Sequence, residues 1–192
     1  SMTHCRGLRA AAVAFAHDVD AIGIDAEPDE PLPDGVIDIV ASPAERRRLR
    51  ALPVGGVSWD RLLFSAKESV YKAWYPRERS WIGFQDVDIT LGDGVLTAEV
   101  HAETNARIML TGRWDMSQGI LITAVVVPAG EWPLATGAAP IQPARPTLLA
   151  LDFSSEAPVT GTNSAGRTCT MVCACEVRGV RSAMQRIDSS DM

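Results

Sequence analysis

WDRLLFSAKESVYKAW, residues 59–74, places apolar side chains at Trp59, Leu62, Leu63, Ala66, Val70, Ala73 and Trp74, a spacing that predicts one amphipathic helix with a single buried stripe. At about 100° per residue, Glu68 and Lys72 project away from that stripe and share a face, one turn apart. Alone, such a pair is most simply an ordinary helix-stabilising contact contributing roughly 0.2–0.5 kcal/mol. The chain upstream changes that reading. Ala21 to Glu27 is a short apolar strand whose end carries Asp25 and Glu27, and this alternate spacing puts both carboxylates on one side of a strand.

Two carboxylates on one side repel each other unless a cation or a basic group lies between them. Magnesium suits the position, because it takes oxygen ligands from a few carboxylates together with substrate phosphates. A third carboxylate from Glu68, with Lys72 one turn along to meet a phosphate oxygen, completes a site for a diphosphate substrate.

Around this pair of elements the chain reads as α+β. Arg9 to Ala16 is expected as a buried strand that turns through His17, Asp18, Val19 and Asp20 into the Asp25 strand. Pro43 opens a helix through Ala51, and Pro53 with Gly55 and Gly56 breaks it. After Pro76 strands are expected at Asp86 to Leu91, Val95 to Ala102, Ile108 to Trp114 and Ile120 to Val127, with Gly92-Asp93-Gly94 as a hairpin turn. The expected architecture is an antiparallel sheet packed on the long helix.

Beyond Pro128 the prolines at 133, 140, 143, 146 and 158 punctuate Ala, Gly, Ser and Thr-rich sequence. The expected division is therefore a folded domain at 1–128 and a largely disordered extension at 129–192, with a lone strand at Thr168 to Val177 and a short helix at Val180 to Ile187. Cys169, Cys173 and Cys175 lack a fourth partner at a zinc spacing, so a metal site there is not expected.

Composition sets the outer limits. With 192 residues, 46% hydrophobic and 22% charged, the chain can bury one moderate core. Its net charge of −6 argues against general nucleic-acid binding. No membrane span is legible, and the short apolar run at Ala10 to Ala16 reads as a buried strand in preference to a secretory leader. A reduced, cytoplasmic protein is expected. Glu45-Arg46-Arg47-Arg48-Leu49-Arg50, with Arg61 nearby, is either a basic patch that steers an acidic partner or a solvated helix face.

GIDAE at 23–27 followed by FSAKESVYKAW at 64–74 resembles the paired signature of the Sfp-type 4'-phosphopantetheinyl transferases. Ser1-Met2-Thr3-His4-Cys5 resembles the S-x-(T/S)-H segment that precedes those motifs, and Trp81 to Val87 resembles their continuation in the actinobacterial and enterobactin-type branch. The likeness covers roughly residues 1–128.

The resemblance implies a set of roles. Asp25, Glu27 and Glu68 match magnesium ligands of the family; Lys72 and His4 match residues that hold coenzyme A phosphates, and Lys67 is grouped with them as a cofactor-binding position of unassigned role. The implied reaction moves 4'-phosphopantetheine from coenzyme A to a serine of an apo acyl or peptidyl carrier protein, with Glu68 and Lys72 as the catalytic pair. Glu68 is the candidate base, directly or through a water on the metal, while Glu27 could instead orient that water. Siderophore, enterobactin, polyketide or nonribosomal peptide assembly would supply the carrier.

The family is also a pseudodimer of two similar halves. The resemblance places the first half, with its basic residues for the adenosine 3'-phosphate, upstream of Ser1, so this chain is expected to be either a fragment or a half that self-associates. Two other readings remain at this stage: a catalytically silent fragment that binds coenzyme A or a carrier protein, and a generic magnesium phosphohydrolase.

Overall fold

The computed structural model describes residues 1–6, 8–101 and 107–132 in full, and the backbone of two further strands. Two sheets and one long helix make the framework. The N-terminal strands β1 (Met2–Cys5) and β2 (Leu8–Val13) form an antiparallel hairpin, and β3 (Val19–Pro28) follows. Two short helices, α1 (Val36–Val40) and α2 (Pro43–Arg50), lead to α3 (Trp59–Glu78). A single 3₁₀ turn at Phe84–Asp86 precedes four strands, β4 (Val87–Leu91), β5 (Val95–His101), β6 (Arg107–Ser117) and β7 (Ile120–Pro128). These join β3 in a five-stranded antiparallel sheet of order β3-β7-β6-β5-β4.

The expected α+β architecture is thus present. Leu62 of α3 is buried, and Leu63, Ala66, Val70, Ala73 and Trp74 join Leu96, Val100, Leu110 and Val125 of the sheet in the main core. Removing such side chains from water contributes roughly 1.5–3 kcal/mol each. Ile24 and Ala124 form a second, smaller cluster with Ala12 of the hairpin. Because side chains alternate along a strand, Ile24 and Asp25 face opposite sides of the sheet.

Several boundaries move. Pro76 does not end the long helix, which runs on to Glu78. The proline forfeits one backbone hydrogen bond, but the last turn is tied by Arg77 to Asp20 at 3.0 Å and by Glu78 accepting from Trp132 Nε1 at 2.6 Å. Trp132 is itself buried against Trp74, so the folded core continues past the expected limit at Pro128. Helix α1, with no strong sequence signal, is an added element, whereas α2 begins with the capping box of Ser42 and Glu45.

The outer edge of β4 is closed by side chains. Glu45 Oε1 accepts from Ile89 N at 2.8 Å, and Arg48 Nη2 donates to Ile89 O at 3.0 Å. In the C-terminal region, β8 (Val159–Thr162) and β9 (Thr168–Val172) pair with each other, and β9 pairs with β2, giving a second sheet of order β1-β2-β9-β8. The strand expected at Thr168 to Val177 is present at Thr168–Val172 and is not alone; residues 173–177 lie outside the described residues. The expected helix at 180–187 and the remainder of the extension lie outside the described residues. Among those described, no helix is long and apolar enough to cross a membrane.

Candidate active site

Gly23 sets how closely α3 approaches β3. A Cβ at this position would stand 1.9 Å from Ser69 O and 2.6 Å from Ala73 N, so only glycine lets the helix backbone rest on the strand. The two elements run antiparallel and are joined by three ion pairs: Arg61 Nη1 to Glu27 Oε2 at 3.0 Å, Lys72 Nζ to Asp25 Oδ1 at 2.7 Å, and Arg77 Nη1 to Asp20 Oδ1 at 3.0 Å. Between the first two pairs lies Glu68. The stripe therefore reads Arg61, Glu27, Glu68, Asp25, Lys72: three carboxylates bracketed by two cations.

A hydroxyl network holds the helix at this height. Thr123, the strand partner of Asp25 on β7, donates from Oγ1 to Ser65 O at 2.9 Å, and its hydroxyl meets those of Ser65 and Ser69 at 2.9 and 2.6 Å. All three side chains are buried, so the network resists sliding or rotation of α3 relative to the sheet.

The carboxylates feel one another. Burial pushes the Glu68 carboxyl above the usual range, Asp25 and Glu27 add to the effect, and Lys72 opposes it. Burial and then Asp25 likewise raise Glu27, against the pull of Arg61. Asp25 is 4% exposed. Its Oδ1 accepts from both Lys72 Nζ and Thr3 Oγ1, whereas Oδ2 is buried and makes no hydrogen bond within the protein.

Among the described residues no three His, Cys, Asp or Glu side chains stand together closely enough to coordinate one ion as placed. Arg61 and Lys72 hold two of the three carboxylates. The donor set nonetheless fits a hard divalent cation, because it offers two glutamates whose carboxyls burial and then the nearby Asp25 push up, and a buried Asp25 oxygen without a partner.

Asp25, Glu27, Glu68 and Lys72 are thus brought together as the sequence spacing predicted. Lys67 is not, and its grouping with the cofactor-binding residues is corrected. Its ammonium is buried and donates to Val40 O at 2.8 Å, Glu45 Oε2 at 2.8 Å and Phe84 O at 2.6 Å, which ties α3 to α1, α2 and the 3₁₀ turn. All three protons are used, leaving none for a phosphate. His4 also lies apart from the cluster: it is exposed and alternates on β1 with buried Thr3.

Of the two readings of the 45–50 segment, the basic patch is largely neutralised by ion pairs. Arg46 pairs with Asp38, Arg48 pairs with Asp88 at 2.6 Å, and Arg61 belongs to the site, leaving Arg47 and Arg50 exposed on α2. Thr3 and Arg61 are the site residues that motif spacing did not single out. For Arg61 the signal was present, since it precedes Glu68 by two helical turns and so lies on the same face.

This antiparallel strand-helix contact, with an acidic trio between two cations, lies within the segment that a family model matches. The chain belongs to the 4'-phosphopantetheinyl transferase superfamily, whose model matches residues 21–125. It is 45% identical over 141 residues to 4'-phosphopantetheinyl transferase Svp of Streptomyces mobaraensis, covering 68% of this chain and 57% of that relative. It is 40% identical over 138 residues to 4'-phosphopantetheinyl transferase PptT of Mycobacterium tuberculosis, covering 66% and 61% respectively. With 4'-phosphopantetheinyl transferase Npt of Nocardia iowensis the identity is 41% over 140 residues, covering 65% and 63%. The chain thus spans about three fifths of the length of these curated relatives.

Proposed function

We propose that this protein transfers 4'-phosphopantetheine from coenzyme A to a serine of an apo acyl or peptidyl carrier protein. The observation that carries the reading is the acidic trio of Asp25, Glu27 and Glu68 set between Arg61 and Lys72, within a chain of the transferase superfamily. The serine oxygen forms a bond to the β-phosphorus, the phosphoanhydride bond breaks, and adenosine 3',5'-bisphosphate leaves with the bridging oxygen.

The chain's own groups meet the needs of that step. A magnesium ion held by Asp25, Glu27 and Glu68 would neutralise pyrophosphate charge. Lys72, released from Asp25, presents an ammonium to a phosphate oxygen and offsets charge building in the transition state. Glu68, on the face of α3 shared with Lys72, takes the serine proton. A groove of about 630 Å³, lined in part by Ser1, Asp20, Ile22, Lys72 and Arg77, runs beside Lys72, with Arg77 paired to Asp20 at its wall. His4 belongs to this reading only as an exposed group that a coenzyme A phosphate would reach from outside the trio.

The carrier would come from polyketide, nonribosomal peptide or siderophore assembly in the cytoplasm. Self-association, with a second copy providing the other wall of the cleft, is supported by the exposed Met2, Val13 and Phe15 near the hairpin.

The test is incubation of the chain with coenzyme A, magnesium and an apo carrier protein, read by intact mass. A gain of one phosphopantetheine that EDTA abolishes is the expected result. No gain, with a full-length relative active on the same carrier, would overturn the assignment of activity to this chain.

A further inference from the structure

Strand β1 runs beside the free edge of β3, and it meets that edge through hydroxyls. Ile24 N donates to Ser1 Oγ at 3.1 Å and Ala26 N donates to Thr3 Oγ1 at 3.0 Å. The spacing is the same on both strands, so residues 1 and 3 match residues 24 and 26. One more step of that register reaches Cys5 and Pro28, and Pro28 has no N–H to satisfy.

Thr3 does something that Ser1 does not. Its oxygen accepts from Ala26 N, so its proton is free to donate, and it donates to Asp25 Oδ1 at 3.1 Å. A carboxylate at this position can only accept, which fixes the direction of the bond. Lys72 donates to the same oxygen at 2.7 Å. Two donors therefore converge on Oδ1, and Oδ2 is left buried with no hydrogen bond from the protein.

We propose that Thr3 is a positioning residue for Asp25: its hydroxyl fixes the carboxylate by Oδ1 and so reserves Oδ2 for a divalent cation. When Lys72 turns to a phosphate, Thr3 is the remaining side-chain donor that the structure gives to Oδ1, and the carboxylate keeps its orientation. The inference rests on the reading of Asp25 as a cation ligand.

The experiment measures Mn²⁺ affinity of the whole chain by electron paramagnetic resonance, alongside thermal unfolding without metal. Thr3→Val removes the hydroxyl at nearly constant volume, Thr3→Ser keeps it, Ser1→Ala removes only the neighbouring edge contact, and Asp25→Asn removes the ligand. Thr3→Val is expected to weaken Mn²⁺ binding by about 10-fold or more, as for other side chains that orient a ligating carboxylate. Thr3→Ser should stay within about 2-fold of the original protein, as should Ser1→Ala.

Unchanged Mn²⁺ affinity in folded Thr3→Val overturns the proposal while leaving the cation reading intact. An equal loss in Ser1→Ala also overturns it, because the effect would then come from the strand edge. If Asp25→Asn binds Mn²⁺ as well as the original chain, or if the original chain binds none, the cation reading itself fails and Thr3's role falls with it.

Discussion

Gly23 and Ser69 touch backbone to backbone, with space for a hydrogen and nothing larger: a Cβ on Gly23 would lie 1.9 Å from the Ser69 carbonyl oxygen. The glycine of the GIDAE motif is thus a packing requirement of the site, because Glu68 and Lys72 reach Asp25 only if the helix sits this low.

Gly23→Ala should push α3 off β3 and cost at least about 3 kcal/mol, the upper part of the range for overpacking. Thermal unfolding would show a lower midpoint, and phosphopantetheine transfer would fall with it. A variant of unchanged stability would contradict the contact.

Glu68→Gln should stabilise the metal-free protein near pH 7 while abolishing transfer. The folded-state pKa of Glu68 is raised, so the stability tied to its protonated form is fully present below about 4.5 and is lost as pH rises through the folded value. Glutamine keeps the shape without the charge, so the gain in unfolding midpoint should be present at pH 7 and vanish at pH 4. An equal gain at both values would sink the explanation.

Lys67→Met should act on stability and leave coenzyme A recognition alone. Breaking a buried pair leaves Glu45 uncompensated and costs about 3–5 kcal/mol. The companion change Glu45→Gln should recover part of that loss. A KM for coenzyme A that rises in the folded variant would restore Lys67 to the ligand set.

Arg61→Leu should move the acid limb of the pH profile for transfer upward. Arg61 holds the Glu27 carboxyl down against burial and Asp25, so its loss lets Glu27 protonate at higher pH. Initial rates from pH 5 to pH 8 would show the limb displaced; coincident profiles would mean that Glu27 does not need to be ionised.

What the sequence disclosed follows from periodicity. The alternation of Asp25 and Glu27 and the one-turn spacing of Glu68 and Lys72 are local geometry, and both survived folding. Lys67 misled because neighbouring residues on a helix point about 100° apart, so adjacency to Glu68 placed it on a different face. Thr3 was illegible for another reason: its partners are more than twenty residues away, and nothing in a strand's own pattern states which edge it will lie against. Pro76 shows the same limit, since the contacts that carry the helix past it come from Asp20 and Trp132.

At both margins of the five-stranded sheet, side chains occupy backbone groups that another strand would otherwise pair with. At β4 the closing groups are charged and belong to α2; at β3 they are the hydroxyls of Ser1 and Thr3. An exposed edge invites pairing between molecules and, from there, aggregation. Accepting from Ala26 N on that edge and donating to Asp25 Oδ1 are tasks of one hydroxyl, that of Thr3, so a substitution there that frees Ala26 N also takes a donor from the carboxylate. The strand edge and the setting of the Asp25 carboxylate are in this way coupled through one oxygen atom, and engineering for solubility on the β3 side must leave Thr3 in place.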